Sequence, residues 1–194
     1  MPYSAHHKQQ SRERILSSAY KLFSLRGFDS VSINEIMADA GMTRGGFYAH
    51  FTNKNELYRE SILHAAKASR ARRPKPDDID EKAWVLKLLH GYLSKENISG
   101  TCACPLASLA NDVTVREPEV REAYTNTFKG LNDIIGSYAK AFSTSSSDTL
   151  LATTAMMIGG VAVARALDDD ALAERLLNSC RMEAQSLLEG DSNI

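Results

Sequence analysis

Apolar residues recur every three or four positions along most of this chain, and strand-like alternation is almost absent. Ile15, Ala19, Leu22 and Phe23 predict a helix over 8–26, with Gly27 as its stop. Ser32 and Glu35 have the Ser-x-x-Glu spacing of a capping box, which predicts a short helix over 33–39 that ends at Ala40-Gly41. Thr43 is placed to cap a helix over about 44–50, and Asn53 with Glu56 to open a longer one reaching about Arg72. The segment "RRPKPDDID", 72–80, breaks the pattern with proline and charge. Helix resumes over about 81–97, with Trp84, Leu88 and Tyr92 or Leu93 on one side. After the loop "ISGTCACP", Pro105 suits the first turn of a helix to about 113. Val120, Tyr124, Phe128, Leu131, Ile135 and Tyr138 then stripe a helix over about 118–142, and two more follow at 148–167 and 170–188.

Charge divides this helical chain. Residues 1–73 hold 12 Lys and Arg against 6 Asp and Glu, and residues 74–194 hold 11 against 18. A basic first third on an acidic remainder predicts that only the first third meets a polyanion, with ordinary surface variation as the alternative. Three cysteines, an odd number, fit a reducing compartment better than a disulfide framework. No apolar run reaches the expected length of a membrane span and "MPYSAHHKQQ" lacks a signal-peptide core, so a cytoplasmic protein without a membrane partner is expected.

The stretch "MTRGGFYAHFTNKNE", 42–56, stands apart. It sets Gly45 beside Gly46, although each glycine inside a helix costs about 1 kcal/mol relative to alanine. Three helices of which the last two are joined by "DAGMT" match helix-turn-helix architecture, in which the second short helix enters the major groove. Missing Cβ atoms there permit close approach to phosphates. Arg44 is placed to reach a base edge, Tyr48 and His50 to donate to phosphate oxygens, and Lys54 to meet an anion at the start of the next helix. Phe47 and Phe51, four apart, read as core.

Residues 11–63 resemble the DNA-binding domain of TetR/AcrR-type bacterial transcriptional regulators, through "RILSSAYKLFSLRGFDSVSINEIMADAGMTRGGFYAHFTNKNELY". The resemblance implies an all-α protein of about nine helices: a three-helix DNA-binding domain at 8–68, with its helix-turn-helix at about 31–50, and a regulatory, ligand-binding and dimerisation bundle at 69–194. The candidate DNA-contact set is Ser32, Thr43, Arg44, Gly45, Gly46, Tyr48, His50 and Lys54. The double glycine departs from members that carry a side chain at one of those positions, and so removes one reading group. The function implied is a repressor held on double-stranded operator DNA and released by a small apolar or amphipathic inducer.

The rest of the chain partly supports this independently. Residues 148–167 are nearly apolar on every side, so one face can pack on the protein's own core and another on a second copy, with 170–188 completing a homodimer interface; the alternative is a central helix of a monomer. Trp84, His90, Tyr92, Tyr124, Phe128 and Met156 are the candidate ligand-pocket lining, each with core packing as its alternative. Cys102 and Cys104 stand just before the helix at Pro105, where a thiol can react more readily, so a redox or electrophile sensor on the same scaffold is the second functional expectation. Cys-x-Cys alone does not fill a metal shell. No phosphate-binding glycine loop, His-Glu-x-x-His or Gly-x-Ser-x-Gly is present, and the aspartates at 168–170 fit an inter-helix turn; no cofactor, no metal and no enzymatic activity are expected.

Overall fold

The computed structural model describes residues 5–69, 74–99 and 104–190, and these contain no strand. In chain order the α-helices are α1 (Ala5–Arg26), α2 (Ile33–Asp39), α3 (Lys54–Ala68), α4 (Glu81–Tyr92), α5 (Lys95–Ser99), α6 (Pro105–Ser108), α7 (Pro118–Ala139), α8 (Ser147–Ala166) and α9 (Asp170–Glu189). Among the described residues two 3₁₀ helices, Arg44–Ala49 and Asp112–Val115, interrupt them. The all-α expectation therefore holds. The helix expected at 81–97 is two, α4 and α5, because the chain turns at Leu93 and Ser94. The one expected from Pro105 stops after a single turn.

The chain divides into two compact units, residues 1–68 with 104–127, and residues 69–103 with 128–194. The sequence alone assigns everything after 68 to the second domain. The structure instead returns α6, the second 3₁₀ helix and the start of α7 to the first.

In the first unit, α1 buries Ile15, Leu16, Ala19, Tyr20 and Phe23, and these meet Val31, Ile36, Met37, Phe47, Phe51, Leu57, Tyr58 and Ile62 in one core. Helix α1 stops at Gly27, whose φ of +76° lets its N–H return to the Phe23 carbonyl at 2.8 Å. The capping box at α2 is complete: Ser32 Oγ accepts from the Glu35 N–H at 3.2 Å, and the Glu35 carboxylate accepts from the Ser32 N–H at 2.8 Å. The Ser32 N–H, the Ser32 hydroxyl, which donates to the same carboxylate at 2.7 Å, and the Arg26 guanidinium hold the Glu35 carboxyl down to about 2. The second cap differs from its expected form. Asn53 Oδ1 does accept from the Glu56 N–H at 2.8 Å, but the reciprocal arm of Glu56 reaches the N–H and hydroxyl of Thr52, at 2.7 and 2.6 Å.

Gly41 follows α2 at φ +67°, and a Cβ there would stand 2.8 Å from Arg14 Nη2, which is held on the Ala40 carbonyl. Gly41→Ala therefore combines left-handed strain with displacement of Arg14, and a loss of about 1–2 kcal/mol of stability is expected in denaturant titration.

In the second unit α8 packs on α9. Met157, Ile158, Val161 and Ala164 of α8, and Ala173, Leu177, Ala184 and Leu188 of α9, are buried. Thr153 and Thr154 are buried too, and they satisfy their hydroxyls on the Thr149 carbonyl and on Asn132 Oδ1. A Cβ on Gly160 would lie 3.0 Å from Cys180 Sγ and 3.3 Å from Leu93 Cδ2, so a missing side chain sets this close approach. Arg181 Nη2 donates to the Leu93 carbonyl at 2.7 Å, where α4 ends. Contrary to the expectation that no apolar run is long enough for a membrane span, Ser147–Ala166 is long and apolar enough to cross a membrane by length and composition alone. A helix packed on one side and met by a partner on another needs the same composition.

Candidate nucleic-acid interface

The segment expected as a helix over 44–50 is a 3₁₀ turn, Arg44–Ala49. Thr43 precedes it in extended conformation and makes no side-chain cap; its carbonyl instead accepts from the Gly46 N–H at 3.0 Å. The turn is held from inside. Phe47 is fully buried and Phe51 is 2% exposed, with ring centroids 5.8 Å apart, which agrees with their reading as core. Around this buried pair Thr43, Arg44, Gly45 and Tyr48 are exposed, Tyr48 at 63% although its ring stands edge-on to Phe47 at 5.1 Å. An aromatic ring so exposed gains little from folding, which leaves it free for a partner.

The glycines explain themselves by what they lack. A Cβ on Gly45 would meet nothing within 4 Å, and one on Gly46 would make only ordinary contact with Met37 Cε and Met42 Cε at 3.6 and 3.7 Å. Neither has a left-handed φ. The fold needs no glycine at 45 or 46. Gly45→Ala is therefore expected to leave the melting temperature unchanged or raise stability by up to about 1 kcal/mol, while weakening DNA binding.

His50 ends the turn, with its N–H on the Phe47 carbonyl at 2.9 Å. Its ring is half-buried and Nδ1 has no hydrogen-bond partner. Burial first, and then the charges of Lys8 and Arg12, pull its pKa below the ordinary histidine value. Ser32 is exposed and tied into its capping box. Lys54 is placed differently from the expectation. Its ammonium donates to the Phe28 carbonyl at 2.5 Å and sits 4.1 Å over the Phe28 ring, turned inward rather than offered at the start of α3. Burial pulls its pKa down, and Asp29 opposes that shift.

Sequence reasoning missed the cluster around Phe28. Arg116 Cζ lies 4.5 Å over the same ring. Its guanidinium forks onto Asp29, at 3.1 and 2.6 Å, and reaches Asp112 Oδ1 at 3.1 Å. Asp112 also accepts from the Tyr58 hydroxyl and from the Phe28 N–H. Burial and this bond push the Tyr58 hydroxyl well above the ordinary range. No motif marks these residues, because the cluster joins positions more than 80 apart in sequence.

Among the remaining candidates, Tyr124 belongs to the first unit, where its hydroxyl donates to the Leu106 carbonyl at 2.7 Å. The other five lie in the second. Trp84 is buried with Nε1 unpaired, Tyr92, Phe128 and Met156 are half-buried, and His90 is exposed beside the charge of Arg181. Cys104 is half-buried directly before α6, and its carbonyl accepts from Ala107 N, Ser108 N and Ser108 Oγ. Cys102 lies outside the described residues.

A short capped helix, a turn on a glycine of positive φ and an exposed reading segment on a buried aromatic pair define a protein of the helix-turn-helix class. The family model "Bacterial regulatory proteins, tetR family" matches residues 15–61. The chain is 46% identical over 52 residues to the HTH-type transcriptional regulator AcrR of Shigella flexneri, a match covering 27% of this chain and 24% of that one. It is 27% identical over 164 residues to the HTH-type transcriptional regulator LmrA of Bacillus subtilis, covering 78% and 84%. The fold matches that of the reduced form of E. coli NemR with a TM-score of 0.76 at 17% identity, over 90% of this chain and 95% of that one. A TetR/AcrR family member of known structure matches with a TM-score of 0.74 at 19% identity, over 93% and 99%. Residues 15–61 are thus a DNA-binding domain of the tetR family, and over most of its length the chain is similar to transcriptional regulators and shares the fold of TetR/AcrR-type proteins. Its named relatives are regulators and not enzymes, in keeping with the expectation from its motifs.

Proposed function

We propose that this chain is a repressor that binds double-stranded operator DNA as a homodimer in the cytoplasm and leaves it when a small apolar or amphipathic molecule binds the second unit. One observation carries the DNA-binding part: an exposed turn bearing Arg44 and Tyr48 around two glycines that the fold itself does not require. Arg44 suits a guanine edge, and Tyr48 and His50 suit phosphate oxygens. Lys54 would have to leave Phe28 to join them.

The exposed face of α8 supports the dimer. Leu151, Ala155, Gly159 and Val163 recur every fourth residue and face solvent, and Leu172 and Met182 are exposed on α9. Apolar stripes with small residues at their centre suit close helix-on-helix packing between two copies. Release then follows if the inducer binds the DNA-incompetent form more tightly.

A second reading, a redox or electrophile sensor, rests on the place of Cys104. Its carbonyl anchors the single turn of α6, so a covalent change there would disturb the segment leading to Asp112. The double variant Cys102→Ser with Cys104→Ser separates the two readings: loss of oxidant-triggered release supports the sensor, and an unchanged response rules it out.

The DNA reading predicts a steep salt dependence. In fluorescence anisotropy, log K against log salt should fall with a slope of about −5 to −9 for a dimer making several phosphate contacts on each half-site. A flat response would contradict it.

A further inference from the structure

Lys54 opens α3, five residues after the reading turn ends at Ala49, yet its ammonium is held inside the chain. It donates to the Phe28 carbonyl at 2.5 Å, lies 4.1 Å over the Phe28 ring and stands 6.0 Å from the centroid of Phe23. The two acids whose charges act on it most from the surrounding loops, Asp29 and Asp112, both pair with Arg116 instead. A carbonyl and an aromatic face thus take the place of a counter-ion. Such a hold is real but weaker than a charge-assisted bond to a phosphate oxygen.

The seat is fixed from several sides. The Phe28 ring stacks on Phe23 with centroids 5.7 Å apart and tilts against Tyr58 at 5.1 Å. Asp112 Oδ1 accepts from the Phe28 N–H at 3.4 Å, and the same carboxylate accepts from the Tyr58 hydroxyl. Arg116 Cζ lies 4.5 Å over the Phe28 ring and its guanidinium forks onto Asp29, the next residue. Ring and carbonyl are therefore held by α1, by α3 and by the segment 112–116, and Lys54 is the one member of the group on a flexible stem with no acid of its own.

We infer that this seat is a brake on DNA binding built into the first unit: Phe28 competes with DNA for Lys54, and Lys54 leaves the ring when DNA binds. The inference rests on the DNA-binding reading above, of which a phosphate contact by Lys54 is already part. It adds the competitor inside the chain.

The sign follows from mass balance. One ammonium cannot serve both partners, so whatever holds Lys54 in the free protein is given up on binding and subtracts from affinity. Weakening the seat then tightens binding. Loss of a residue that only packs the reading unit would do the opposite. The complex makes the same phosphate contacts with or without the ring, so the salt slope stays as it is.

The test uses the full-length protein and a mixed-sequence duplex of about 30 base pairs at low salt, since phosphate contacts need no operator. In anisotropy Phe28→Leu should bind about three- to tenfold more tightly than the unaltered protein, with an unchanged salt slope. Lys54→Ala should lower the slope by about 1 per subunit, and in that background Phe28→Leu should bring no gain. A second measurement needs no change at Phe28. With 13C at lysine Cε, the Lys54 resonance, assigned by its absence from Lys54→Ala, should lie upfield of the other lysines under the Phe28 ring current. It should move toward them at saturating duplex. A folded Phe28→Leu that binds no more tightly, or a gain that persists in Lys54→Ala, overturns the inference. So does a Lys54 resonance that stays in place when the duplex saturates, even if Phe28→Leu fails to fold. In each of these cases DNA still binds, and the reading of the turn stands. No binding of duplex by the unaltered protein overturns both.

Discussion

Phe47→Ala is expected to cost about 3–5 kcal/mol, enough to abolish the cooperative unfolding of the first unit at moderate denaturant. Phe47 has no exposed surface and touches both sides of the helix-turn-helix: the turn of which it is part, and the core shared with Met37, Phe51 and Ile15. Removing its ring leaves a cavity under a 3₁₀ turn that has few other anchors, since Thr43 makes no side-chain cap there. Chemical denaturation followed by circular dichroism measures the loss. Phe47→Leu, which keeps much of the volume, should cost about 1–2 kcal/mol and so shows the effect to be one of packing.

Asp112→Ala is the second large effect. The carboxylate takes the Tyr58 hydroxyl, the Phe28 N–H and the Arg116 guanidinium at once. Its loss leaves a buried phenol hydroxyl without its acceptor and a guanidinium that is only 11% exposed with one partner fewer. About 3–4 kcal/mol is expected in the same denaturant titration. Tyr58→Phe removes donor and hydroxyl together and should cost less, about 1 kcal/mol. If Asp112→Ala behaves like an ordinary surface substitution, the cluster around Phe28 contributes nothing to stability.

These two residues also mark what a sequence displays. Phe47 was legible because local chemistry places it: four residues before Phe51, inside a segment bounded by a capping box and a glycine turn. The capped helix at 33–39 was legible for the same reason, to the residue. The winding of 44–49 was not, because α and 3₁₀ turns of six residues share the same apolar spacing and differ only in which carbonyl each N–H finds. Lys54 was misplaced because a cation at a helix start has two outlets, an outside anion or an inside carbonyl and ring, and only the position of Phe28 decides between them. Asp112 and Arg116 carry no local signal at all. Their partners Phe28, Asp29 and Tyr58 come from the far end of the unit, and the break at 72–80 separates the segment from them in sequence.

The exposed apolar stripe on α8 lies between these extremes. Its composition announced a helix with two apolar faces, and its packing on α9 now separates the buried residues Met157, Val161 and Ala164 from the exposed Leu151, Ala155, Gly159 and Val163. Gly159 is exposed and a Cβ there would meet nothing within 4 Å, so a charged substitution such as Gly159→Glu should leave the fold intact and, on the proposed dimer, shift the protein to monomer in sedimentation.

The central claim is that the turn Arg44–Ala49 reads DNA. The most direct measurement is anisotropy of the protein on DNA selected by it from a random-sequence library, across a salt series, with Tyr48→Ala alongside. Tyr48 is exposed and its loss should leave the melting temperature in place. The account predicts tight binding with a steep salt slope and a weakening of about tenfold or more in the variant. Binding that is indifferent to salt, or equally tight in Tyr48→Ala, would contradict it.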